Sequence, residues 1–256
     1  MPSPDQRAMS FGAIADDYDR LRPGPPDAAL DWLLPADCRV AVDVGAGTGL
    51  LTRALARRVA RVVAVEPDPR MRAVLRARSP GVEAVAGTGE AIPLPDASAD
   101  AVLVSSAWHW MDPDRAVPEV TRVLRDGGRF GVLWTSRDRE VGWLRELRWP
   151  GPPAADADAG PPDAGRRPRT HAVALPEGAP LRDIMTQTFR FTLTMSVTSL
   201  VDLLGTYSGV ITASPRDRKA ALAHARAALE QRFPGASLIE VPMRSWCWRA
   251  DRLPRR

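Results

Sequence analysis

Apolar and polar positions alternate between two periods along the first 140 residues. "RVAVDV" (39–44) is a β-branched run bounded by polar residues and predicts a buried strand. "LLTRALARRV" (50–59) follows, with Leu51, Leu55 and Val59 at helical spacing. "RVVAVE" (61–66) predicts the second strand, and "PDPRMRAVLRARS" a helix opened by prolines. "VEAVAG" (82–87), "ADAVLVSS" (99–106) and "GGRFGVLWTS" (127–136) predict strands three to five. "DPDRAVPEVTRVL" predicts a helix that Pro118 bends or shortens. Strands without polar alternation, separated by helices, predict an α/β fold with a parallel, doubly wound sheet.

The pattern changes after "GWLRELRW". Residues 150–169, "PGPPAADADAGPPDAGRRPR", hold almost nothing to bury and predict a mobile loop. Beyond it "FRFTLTMSV" (189–197) predicts strand six. "TSLVDLLGTYSGVI" and "PRDRKAALAHARAALEQRF" predict cap helices, and "SLIEVPMRSWCWRA" (237–250) a last strand. The expected organisation is a lid segment at 1–30, a core at 31–138, a cap carrying the acceptor site at 139–235, and a C-terminal strand at 236–256 that completes the sheet.

Composition alters this picture little. Of 35 basic residues all but Lys219 are arginine, and they are mixed with 31 acidic residues. The net charge of +4 therefore reads as a solvated surface, not a nucleic-acid patch. Cys38 and Cys247 match no metal or redox spacing, so no metal is expected. No apolar run is long enough to span a bilayer, and the N-terminus lacks a secretory pattern. A cytoplasmic protein, monomeric or homodimeric, without membrane or nucleic-acid partners, is the expectation.

The candidate chemistry lies in "VDVGAGTGLL" (42–51), a glycine-rich strand-to-helix turn. Such a turn aims backbone N–H groups at a ligand. A dinucleotide fingerprint requires Gly or Ala at position 50, to let helix and strand approach closely. Leu50 stands there, which argues against a dinucleotide oxidoreductase. Glu66 ends strand two, where a carboxylate accepts hydrogen bonds from a ribose diol. A nucleoside site without a pyrophosphate motif points to S-adenosylmethionine.

Six segments in order then carry a resemblance: "YDRLRP" (18–23), "VDVGAGTGLLTRAL" (42–55), "VVAVEPDPRM" (62–71), "AGTGEAIPLPDASADAV" (86–102), "SSAWHWMDPDRA" (105–116) and "EVTRVLRDGGRFGVLW" (119–134). The chain resembles class I S-adenosylmethionine-dependent methyltransferases, closest to the branch with trans-aconitate and ubiquinone-pathway-type enzymes. The resemblance implies a mostly parallel, seven-stranded Rossmann-like sheet with helices on both faces and a small helical cap. It also implies cofactor contacts from Asp43, Gly45, Ala46, Gly47, Gly49, Glu66, Pro67, Met71, Thr88, Gly89, Glu90 and Ser106. Tyr18 and Arg22 would belong to a lid over the methionyl end. His109 and Tyr18 are the implied catalytic candidates. Trp108, His109, Trp110, Trp134 and Tyr207 would line the acceptor site.

The expected reaction is S_N2 transfer of a methyl group from S-adenosylmethionine to a small-molecule O-, N- or C-nucleophile, with S-adenosylhomocysteine as product. The alternative is the same fold repurposed for other chemistry or for a non-methylating role.

Overall fold

The computed structural model describes residues 9–146 and 173–255. The stretch 150–169, expected as a loop, lies outside them. Seven strands form one sheet in the order β3-β2-β1-β4-β5-β7-β6. They are β1 (Val40–Val44), β2 (Arg61–Val65), β3 (Glu83–Val85), β4 (Ala99–Ser105), β5 (Leu124–Arg137), β6 (Leu181–Met195) and β7 (Ile239–Arg252). β1 pairs in parallel with β2 and β4, β2 with β3, and β4 with β5. β7 runs against β5. Arg129 pairs with Asp251, the Thr135 and Ser245 hydroxyls meet at 2.7 Å, and the Asp138 N–H donates to the Pro242 carbonyl.

The helices are α1 (Ala15–Leu21), α2 (Asp27–Leu33), α3 (Leu50–Ala56), α4 (Pro69–Arg78), α5 (Pro113–Val123), α6 (Gly142–Glu146), α7 (Val197–Gly205), α8 (Ser208–Ile211) and α9 (Pro215–Arg232). Two differences from the sequence pattern are informative. α5 runs through Pro118 without interruption, because its N-terminal turn is already set by Pro113 and the Asp112 cap and its apolar face is buried throughout. β6 begins at Leu181, eight residues before the predicted start, because its first half is largely exposed and its apolar residues, Leu181, Ile184 and Met185, do not alternate.

The described chain divides into two compact units. One holds 23–135, 173–189 and 245–255. Its core packs Val42, Val44, Val102, Val104, Phe130 and Trp248 on one side and Leu30, Leu33, Leu55, Leu103 and Leu133 on another. α2 is thus a core helix: Leu30 and Leu33 have no exposure. The other unit holds 9–22, 136–146 and 190–244. Its core joins Leu21, Leu144, Leu200, Leu203, Leu204, Val241 and Met243. Among the described residues no helix is long and apolar enough to cross a membrane.

Candidate functional site

β1 delivers its chain to the glycine turn with Asp43 fully buried. Gly45, Gly47 and Gly49 all adopt the left-handed conformation, at φ 69°, 57° and 91°. A Cβ on Gly45 would lie 2.6 Å from the Ala107 Cβ, so packing alone demands glycine there. Gly47 differs. A Cβ there would meet only the Met71 Cε, at an ordinary 3.8 Å. Among the described residues only its backbone angle calls for glycine there, and that face of the turn is bare.

The turn is tied to β2. The Gly45 and Ala46 N–H groups both donate to the Val65 carbonyl. The Glu66 carboxylate accepts from the Gly47 N–H at 2.7 Å and from the Asp68 N–H at 2.8 Å. Burial pushes its pKa up. Each oxygen keeps lone-pair capacity for a hydroxyl donor. Asp68 then caps α4 by accepting from the Arg70 N–H.

Asp43 is only half satisfied. Its Oδ2 accepts from the Thr52 hydroxyl at 2.6 Å, while its buried Oδ1 has no partner among the described residues. Burial raises the pKa to about 7, the Thr52 hydrogen bond opposing the shift. The Thr48 hydroxyl in the same turn is likewise buried and unpartnered. An unpaired carboxylate oxygen beside bare glycine backbone suits a ligand with a cationic donor.

The turns after β3 and β4 complete this group. Glu90 accepts from the Asp112 N–H at 2.9 Å, which clasps the two turns together. Thr88 is bridged to Ala91 and exposed. Met111, which the sequence reading passed over, lies between them. Its Cε lies 3.3 Å from where a Gly45 Cβ would be, and its sulfur crowds the place where a Gly89 Cβ would be. A methionine after "WHW" looks like any apolar residue. The two glycines facing it were the only signal. Ser106 closes β4 at φ 54°, a strained conformation for a non-glycine residue, costing on the order of 1–3 kcal/mol.

"WHW" is a short 3-10 turn (Trp108–Trp110) whose aromatic residues divide. Trp108 is 3% exposed and packs against Phe130, ring centroids 5.2 Å apart. Trp108 packs in the core of its unit. Trp134 is also buried, against Trp246. Its indole N–H donates to His109 Nδ1 at 3.4 Å. An indole can only donate, so the neutral imidazole must carry its proton on Nε2. Trp110 is half-buried, its ring 4.4 Å from that of His109.

All these residues belong to the unit built on β1–β4. Tyr18, Arg22 and Tyr207 belong to the other unit, where they form a second group. The Arg22 guanidinium lies 4.0 Å from the centre of the Tyr207 ring and 5.2 Å from that of Tyr18. Its Nε donates to the Thr206 hydroxyl at 2.9 Å and an Nη to the Thr206 carbonyl at 3.2 Å. Tyr18 stacks edge-on against Phe11.

Residues 42–132 match a methyltransferase-domain family. An uncharacterized methyltransferase of Mycobacterium tuberculosis is 56% identical over 140 residues, covering 55% of this chain and 58% of that protein. A malonyl-[acyl-carrier protein] O-methyltransferase of Methylococcus capsulatus is 36% identical over 142 residues, covering 50% and 51%. The chain thus spans little more than half the length of the curated relatives it matches. Among solved structures, a type II methyltransferase of Anaeromyxobacter dehalogenans superposes with a TM-score of 0.65 at 27% identity, over 91% of this chain and 99% of that one. Residues 42–132 thus match a methyltransferase domain, and the relatives similar to about half of the chain are methyltransferases.

Proposed function

We propose that this protein transfers the methyl group of S-adenosylmethionine to a small-molecule acceptor. The observation that carries this reading is the unpaired Asp43 Oδ1, buried beside the Gly45–Gly49 turn. It fits the ammonium of an amino-acid ligand, and the bare Gly47 backbone fits the chain beside it. The Glu66 carboxylate accepts the ribose hydroxyls, with Pro67, Met71, Thr88 and Gly89 around the base and Ala46 and Ser106 along the methionyl end. When bound, S-adenosylmethionine supplies an electrophilic methyl group whose leaving group is a neutral thioether.

The protein's work is therefore alignment and exclusion of water, not activation of a leaving group. Trp110 presents a half-buried aromatic surface near the strand-four edge, of a kind that attracts a cationic centre. His109, with Nδ1 engaged by Trp134, orients the acceptor. Taking a proton at Nδ1 would require giving up the Trp134 bond.

Calorimetry with S-adenosylmethionine, S-adenosylhomocysteine and NADH tests the cofactor. Binding of both adenosyl ligands and not of NADH is expected; NADH binding alone would overturn the reading. Transfer of labelled methyl to a panel of small carboxylic acids, phenols and amines tests the chemistry. Cofactor binding without transfer to any of them would favour a non-methylating role.

A further inference from the structure

The unit that contains Tyr207 also holds a buried charge with no counter-charge among the described residues. Arg137 ends β5 and is 8% exposed. Its Nε is buried without a hydrogen-bond partner, and its guanidinium lies 5.1 Å from the centre of the Tyr207 ring. No described carboxylate pairs with it. The nearest acids in sequence are committed elsewhere: Asp138 to Arg190 at 2.9 Å and to Arg244 at 3.7 Å, Glu140 to Arg190 and to Arg244 at 3.0 Å. The contrast with the two other buried arginines among the described residues is direct. Arg244 holds Asp138 and Glu140, and Arg252 holds Asp126.

Taking a guanidinium out of water is costly unless an anion and acceptor atoms replace the water. A ring face replaces only part of it. Arg22 brings a second guanidinium to the same ring, 4.0 Å from its centre. Two guanidiniums at one buried aromatic ring, one of them unpaired, make a receptor for a planar oxyanion, because the guanidinium fork matches a carboxylate.

We propose that Arg137, with Arg22 and the Tyr207 ring, is a binding site for a ligand carboxylate. The site is defined by its own chemistry, a receptor for a planar oxyanion, and does not rest on the proposed function.

Thermal unfolding and calorimetry at low salt test it, using wild type, Arg137→Met and Arg137→Gln, the second kept in case the first fails to fold. Each protein's ligand response is read against its own unliganded unfolding temperature, because either substitution also removes the contact with the Tyr207 ring. The ligands are succinate and the neutral succinamide. Succinate and not succinamide should raise the unfolding temperature of wild type and of neither variant. Equal responses of wild type and variants to both ligands would overturn the site.

Discussion

Glu66, at the end of β2, accepts the Gly47 N–H at 2.7 Å and so holds the glycine turn from the neighbouring strand. The same carboxylate accepts the Asp68 N–H. One side chain thus sets both the shape of the turn and the start of α4.

Glu66→Ala should therefore weaken S-adenosylhomocysteine by roughly 1.5–3 kcal/mol, the range for hydrogen bonds to a charged group. It should also speed amide exchange at residues 45–49. Calorimetry and hydrogen exchange read the two effects separately. Unchanged affinity with faster exchange would make Glu66 a brace for the turn and nothing more.

Asp43 gives stability a pH dependence with a defined sign. Its pKa is raised from 3.8 to about 7 by burial, so between those values the folded state holds a proton that the unfolded state has released. Stability should fall as pH rises through this window and level off above it. Asp43→Asn should lack that slope. Urea midpoints at pH 5 and pH 8 for both proteins check it, and equal slopes would exclude Asp43 as the source. A bound ammonium would pull the pKa back down, so cofactor binding below pH 7 should release a proton. Binding heats in buffers of different ionisation enthalpy would report it.

Gly89→Ala should cost about 1–3 kcal/mol, because its new methyl group would crowd the Met111 sulfur. Met111→Ala should cost less in the Gly89→Ala background than in wild type, because the two changes share one volume. A double-mutant cycle of unfolding free energies measures the coupling. Strict additivity would mean that Met111 moves aside freely.

Arg22→Lys should destabilise the α1–α7 region by about 1–2 kcal/mol, since an ammonium cannot reproduce the forked contact with Thr206. Amide exchange in α7 should rise while strands β1 and β4 stay protected. Equal exchange in α7 would show that the Thr206 contacts contribute nothing.

Much of this organisation is legible in the residues themselves. Glycines at every second position after a β-branched run announced the turn, and an acid closing the next strand announced Glu66. Local chemistry determines both. What escaped depends on contacts between distant segments. Trp108 and Trp110 are two residues apart in one turn, yet only Trp108 enters the core. Met111 acquires its meaning from Gly45 and Gly89, 66 and 22 residues earlier in the chain. Arg137 is one arginine among many, and only the commitment of Asp138 and Glu140 to other partners sets it apart. The first half of β6 shows no alternation because it is largely exposed.

The place of β7 between β5 and β6 imposes an order of events on biosynthesis. Both neighbours leave the ribosome before the strand that joins them. Until β7 emerges, β6 has no sheet to extend, and the rim of β5 remains an open template for pairing with another chain. The nascent protein thus carries its most exposed backbone late in synthesis. A stop codon shortly before residue 239 would remove an inner strand of the sheet, not trim an edge.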